Sequence, residues 1–221
     1  MNTLKAVFTD KNLRNRVLFI IYILIITRIL AIIPIPGIDT THLQNFLEGN
    51  SFFGFLNIFS GGGLSALSIV MLGVAPYITA SIIMQLSTVL SPRLKEMYQE
   101  EGESGRRRFV QYGRILTLPL GVLQGFALLS LLSKQNAIDT LSSGGMMINL
   151  LIITAGTMLM MWLGELLTEK GIGNGVSLII TLGILSSLPR TVGSIVSQLN
   201  LDSQEIGQLT FSSLVILSLV F

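Results

Sequence analysis

Apolar residues in this chain run in blocks rather than alternating with polar ones. Five blocks stand out: Val17 to Ile33, Leu64 to Leu90, Ile115 to Leu132, Met146 to Leu167 and Gly175 to Leu188. A sixth opens near Leu209 and is still apolar at Phe221. A helix rises about 1.5 Å per residue and a hydrocarbon core is about 30 Å thick, so the pattern predicts an all-α, polytopic membrane helical bundle of five transmembrane spans plus the start of a sixth. The sixth block reaches only about 20 Å. Either more of the protein belongs beyond it, or a partner covers an incomplete hydrophobic end.

The second block is interrupted. It sits in a run without formal charge from Gly49 to Pro92, preceded by Gly61, Gly62 and Gly63 and broken at Gly73 and Pro76. Backbone groups freed by a break inside a bilayer must be satisfied against protein or water, so such a break marks a cavity or a pathway. The piece from Leu64 to Gly73 spans only about 15 Å as a helix, which predicts a short half-helix followed by a single crossing. The three glycines suit a hinge, and Pro76 removes a donor and opposes straight continuation. A kinked span packed permanently in its bundle is the alternative.

Composition supports the membrane assignment: half the residues are hydrophobic and 12% are charged, against about 25% charged in a soluble domain. The mean hydropathy is +0.72. There is no cysteine, which excludes disulfides, thiol catalysis and cysteine metal sites. A net charge of +2 is too small to argue for nucleic acid. Its distribution says more. Lys5, Lys11, Arg14, Arg16, Arg93, Lys95, Arg106, Arg107, Arg108, Arg114 and Lys170 fall on one side of the predicted spans, against Lys134 and Arg190 on the other. Cytoplasmic loops retain positive residues, so the N-terminus is expected in the cytoplasm. Val17 to Ile33 is longer than a signal-peptide core and no small-residue cleavage site follows it, which predicts a retained span.

Few residues offer chemistry. Glu101 to Arg108 reads as a loop, acids first and bases after. After Trp162 to Lys170, Gly171, Gly173, Asn174 and Gly175 tolerate the positive φ that a tight helix end needs. With no strand before them and no Lys-Ser/Thr after them, they make a poor phosphate site. Arg28 lies about one turn from a span's outer edge, where it is expected to snorkel to headgroups. Glu165 sits near a cytoplasmic end, and Gln85 is costly to face lipid. His42 is the only histidine and has no metal partners in view. No nucleophile–base pair or metal cluster is visible, so neither an enzyme nor a cofactor is expected.

Five motifs in order, Pro34 to Asp39, Asn57 to Gly62, Ala75 to Leu86, Glu101 to Arg107 and Trp162 to Asn174, closely resemble the SecY family of protein-conducting channels. The resemblance covers the N-terminal half of a ten-span fold plus the opening of the sixth span. It implies a clamshell of two pseudo-symmetric five-span halves around an hourglass pore, with a lateral gate to lipid. On this chain it implies a cytoplasmic segment over 1–16, a half-channel over 17–190 and an outer loop with an incomplete span over 191–221. The plug helix would cover about 60–72, with Ser60, Gly61, Gly62, Gly63, Leu64, Leu67, Val70 and Met71. The pore ring would take Val74 and Ile78 from the second span and Val176 and Ile180 from the fifth, each pair one helical turn apart. Ile82 and Gln85 would lie on the lateral gate, and Arg106, Arg107 and Arg108 in a cytoplasmic loop.

Implied partners are SecE- and SecG-type small membrane subunits, a SecA-type motor ATPase or a ribosome, translocating polypeptides with their signal sequences, the lipid bilayer, and the complementary C-terminal half. The implied location is the cell inner membrane. An aliphatic ring offers no hydrogen bonds, so it dewets and holds no passing chain. Val176 falls near the edge of its block, which requires a water-filled recess to reach toward mid-membrane. A secondary transporter also breaks its helices but predicts polar groups at the break, whereas Val74, Ala75 and Ile78 are apolar. A non-conducting fragment that assembles with a second half is the other alternative.

Overall fold

The computed structural model describes residues 11–36, 43, 57, 60, 62–135, 137–138 and 142–186. Residues 1–10, His42, Gly61, Arg190 and the apolar block from Leu209 lie outside them. The chain divides into two compact units, Met1–Ile184 and Leu185–Phe221, of which the first is a helix bundle. Its helices are α1 (Lys11–Ile32), α2 (Ala75–Leu90), α3 (Pro92–Gln99), α4 (Gly102–Lys134) and α5 (Ser143–Lys170). A further helix, α6, covers Gly175–Ser186. In α1, α4 and α5 the apolar stretch is long enough to cross a membrane, while α2 and α6 are shorter apolar helices. The all-helical membrane bundle expected from the block pattern is what forms.

Local chemistry sets the helix starts. Pro76 stands in the first turn of α2, where its missing N–H is no loss. The Ser142 hydroxyl accepts from the Gly145 amide at the start of α5. The Asn174 side chain accepts from the amides of Val176 and Ser177 at 3.0 and 3.2 Å, capping α6.

Packing runs along a stripe of α4 that repeats every fourth residue: Gly105, Phe109, Gly113, Thr117, Gly121, Gly125 and Leu129 are all buried. Small residues let neighbouring backbones approach, as membrane helices require. Gly121 faces Thr154 and Thr157 of α5, and Gly125 faces Leu150 and Ile153. The opposite face of α4 exposes Ile115, Leu118, Leu123 and Phe126, an arrangement suited to lipid.

Two expectations are corrected. The half-helix predicted over Leu64 to Gly73 is a succession of turns from Gly62 to Val74. Gly62 and Gly73 take φ of 86° and 54°, and Leu67 takes 41°, a left-handed conformation that costs an L-residue about 1–2 kcal/mol. These reversals stop any α-helical ladder. The amides turn instead to short-range partners: Leu67 N to Leu64 O, Met71 N to Ser68 O and Gly73 N to Val70 O. An isolated antiparallel bridge joins Ser68 to Pro34, where Ile35 N donates to Leu67 O at 2.8 Å and Ile69 N to Ile33 O at 3.0 Å.

The second correction concerns Arg106, Arg107 and Arg108, which lie in the first turns of α4 and not in a loop. Gly102, at φ 67°, turns the chain out of α3, and the Glu, Arg and Gln residues that follow are good helix formers. Gly105 packs against the Met97 carbonyl, and the rings of Tyr98 and Phe109 stand 4.9 Å apart. The helix therefore runs about 20 Å beyond the start of its apolar block.

The turn segment is wedged between two apolar clusters. Leu64, Leu67 and Met71 join Leu129, Leu132 and Ile153 in one; Val70 and Val74 join Ile23, Met160 and Leu163 in the other. A Cβ on Gly156 would overlap the Ile69 carbonyl oxygen, whereas one on Gly113 would meet only Met84 Cγ at 3.9 Å. Gly156→Ala is therefore expected to cost about 1–3 kcal/mol by overpacking. It should lower the thermal unfolding midpoint of the detergent-solubilised full-length protein, and Gly113→Ala should not. Equal midpoints for the two variants would contradict close seating of the turns on α5.

Candidate functional site

The aliphatic residues singled out from the sequence meet in one place. Val74 ends the turn segment and is buried, and Ile78 follows one turn into α2. Val176 and Ile180 stand one turn apart on α6, and all four belong to the same apolar cluster. The corner between α5 and α6 places the second pair. The Thr168 hydroxyl accepts from the Gly175 amide at 2.9 Å and donates to the Gly164 carbonyl at 2.9 Å. A Cβ on Gly164 would come within 3.1 Å of Val176 Cγ2, and one on Gly175 would overlap the Gly164 carbonyl. Glycine at both positions lets α6 start directly against α5.

Residues of this cluster border two cavities of unequal size. The larger, about 600 Å³, is lined by Ile78, Val176 and Ile180 at one end and by Tyr77, Ser81, Gln85, Arg114, Glu165 and Asn174 among its polar residues. The smaller, about 20 Å³, is lined by Val74 and Ile180 together with Thr27, Arg28, Ser60 and Gly73. Ile180 borders both. The arrangement is an apolar waist bordered by a roomy space that carries several polar side chains and by a water-sized one.

In the wall of the wide space, Arg114 Nε donates to Glu165 Oε1 at 2.8 Å, joining α4 to α5. Charges held at the edge of an apolar bundle are expensive unless paired, and this pair keeps both polar without leaving a bare ion. Sequence reading had counted Arg114 among loop charges and set Glu165 apart. The signal for the pair was that opposite charges sit at the same predicted edge of consecutive blocks. Gln124 was also missed: its side-chain amide donates to Thr79 Oγ1 at 3.4 Å and ties α4 to α2. An amide inside an apolar block was the available clue.

Of the other residues named from the sequence, Ile82 and Gln85 line the wide cavity and are exposed along α2. Ser60 Oγ accepts from the Leu64 amide at 3.1 Å and donates to the Asn57 carbonyl at 3.0 Å, which anchors the start of the turns. Gly62 supplies a positive φ, Gly63 is buried, and Leu64, Leu67, Val70 and Met71 are each no more than 2% exposed. Gly61 lies outside the described residues. Arg106, Arg107 and Arg108 are exposed on α4 and line neither cavity. Arg28, expected to reach for headgroups, is half-buried and lines the small cavity beside Val74 and Ile180. Among the described residues, no group of three His, Asp or Glu side chains could hold a metal ion.

A family model described as SecY matches residues 68–221. The chain is 43% identical over 211 residues to a protein from Synechocystis named protein translocase subunit SecY, covering 95% of this chain and 46% of that relative. It is 38% identical to a protein of the same name from Chlamydia muridarum, covering 100% of this chain and 52% of the relative, and 43% identical to one from Buchnera aphidicola, covering 84% and 44%. The chain thus spans about half the length of the curated relatives it matches. A family match over more than half of the residues, together with relatives about 40% identical over most of the chain, establishes that the chain belongs to the SecY family.

Proposed function

We propose that this chain forms one half of the wall of a protein-conducting channel, through which unfolded polypeptides pass across the membrane or leave sideways into it. The observation that carries the reading is the meeting of Val74, Ile78, Val176 and Ile180 in one cluster between two cavities. Branched aliphatic groups give water and ions nothing to replace their hydration, so a narrow ring of them dewets and blocks leak. For the same reason it offers a threading chain no specific contact, and passage is indifferent to sequence. The complementary five-span half supplies the rest of the ring.

In this reading residues 60–72 are the plug. Opening gives up the two backbone bonds to Ile33 and Ile35 and the contacts of Leu64, Leu67 and Met71. Short-range turns suit that role, because most of their hydrogen bonds lie within the segment and travel with it. α2 carries the lateral gate through Ile82 and Gln85, at the mouth of the wide cavity. The charged end of the bundle, with Arg106, Arg107 and Arg108 on the projecting turns of α4, faces the cytoplasm and docks the source of driving force, a SecA-type motor ATPase or a ribosome. SecE- and SecG-type subunits complete the assembly in the cell inner membrane, and signal sequences enter at the gate. The chain itself conducts and does not catalyse. A secondary transporter would be expected to place polar side chains at the contact itself; Val74, Ile78, Val176 and Ile180 are all aliphatic, which favours the channel.

Two experiments follow. Replacing Ile78 and Ile180 by glycine in the complete channel is expected to raise ion leak across proteoliposomes, and unchanged conductance would remove both residues from the waist. Cysteines at Val74 and Val176 should cross-link to a translocating polypeptide arrested in transit. A channel gives adducts at both positions, and a transporter gives none.

A further inference from the structure

The corner that carries Val176 and Ile180 is also held from the side of α1. α5 ends at Lys170, and the last carbonyls of a helix have no partner within it. The Leu167 carbonyl accepts from the Gly171 amide at 2.9 Å. The Gly171 carbonyl is met from another helix: a guanidinium nitrogen of Arg16 in α1 points to it from 3.5 Å. The Lys170 ammonium stands 6.0 Å from the centre of the Phe19 ring, also on α1. A Cβ on Gly171 would come within 3.1 Å of Ile20 Cγ1. Arg16, Phe19 and Ile20 share one face of α1, at spacings of three and four, and that face closes on the end of α5.

A separation of 3.5 Å is long for a hydrogen bond, so the attraction is chiefly that of a charge for a dipole. A helix C-terminus carries about half a negative charge, and cations near its last turn are favoured. Arg16 and Lys170 both stand at that end of α5, whereas Glu169 lines the wide cavity. Ile172, Gly173 and Asn174 alone separate Gly171 from the first residue of α6, and Val176 is the second. Gly173 reverses the chain there at φ 79°. A shift of Gly171 is therefore passed to the waist through three residues. On the reading of this chain as half of a channel, we propose that Arg16 is a positioning residue for the waist: its charge, set against the end of α5, keeps the α5–α6 corner seated. Val176 and Ile180 then stay against Val74 and Ile78 in the resting state. Arg16 touches neither ion nor substrate; it acts through the corner.

The test measures the resting open probability of the purified full-length channel in planar bilayers, with the Ile78→Gly, Ile180→Gly double variant as the leaking reference. Glutamine and glutamate have nearly the same shape, so R16Q and R16E differ in charge alone. R16K should stay closed as the native protein does, and R16E should open about fivefold more often than R16Q. Should R16E not assemble, K170E compared with K170Q carries the same expectation at the same helix end. Equal opening of the glutamine and glutamate variants would assign Arg16 to packing and overturn the proposal, as would R16K opening as often as R16E. A closed R16E beside a leaking reference would overturn it and leave the channel reading standing. A reference that conducts nothing would overturn the channel reading, and this proposal with it.

Discussion

A backbone amide freed inside a bilayer has no water to turn to, and the architecture of this bundle follows from how that requirement is met between Gly62 and Val74. An unbroken helix would satisfy every amide and leave a featureless wall. Here the chain reverses at Gly62, Leu67 and Gly73, and each reversal is closed by a bond to a residue three to five positions away or to the end of α1. The segment is thereby compact enough to lie against the middle of α5, with Gly156 directly beneath the Ile69 carbonyl. It delivers Val70 and Val74 into one apolar cluster and Leu64, Leu67 and Met71 into the other. A strained Leu67 is tolerated because its side chain is wholly buried.

From that placement the waist follows. Val74 and Ile78 arrive from the broken second span, and the tight corner at Gly164, Thr168 and Gly175 brings Val176 and Ile180 to meet them. Polar chemistry is kept off the contact and sorted to either side. The wide cavity carries the Arg114–Glu165 pair, and the small one carries Arg28. In membrane proteins such ionisable groups are the usual bearers of function. Here they line the cavities beside the aliphatic contact and are not part of it.

The blocks of apolar residues made the spans legible because a helix in lipid must be apolar along its whole length. Both ends of α5 fall three residues outside its apolar block, whereas α1 ends one residue before its block does but starts six residues earlier, at Lys11. The broken block was legible as a break but not as turns, since hydropathy is blind to the φ of Leu67 and to the Pro34–Ser68 bridge. Arg106 to Arg108 read as a loop because charge was taken for solvation, although arginine and glutamate propagate helices well. The four waist residues taken singly are ordinary aliphatics, and only motif resemblance picked them out. The pairing of Arg114 with Glu165 joins positions 51 apart; opposite charges at the same edge of consecutive blocks hinted at it, but the contact itself depends on how α4 and α5 pack. Arg28 was visible as a charge within an apolar block, but which way it points depends on the turn segment it sits beside.

The central claim is that an aliphatic waist divides two spaces in the resting protein. The native sequence has no cysteine, so single cysteines report cleanly. With Ser81→Cys and Ser177→Cys in the wide cavity and Ser60→Cys beside the small one, a membrane-impermeant thiol reagent is added to resting full-length channels from the side that carries Arg106. The first two should be modified rapidly and the third only after the channel is opened by a substrate. Equal modification of all three in the resting state would contradict the account.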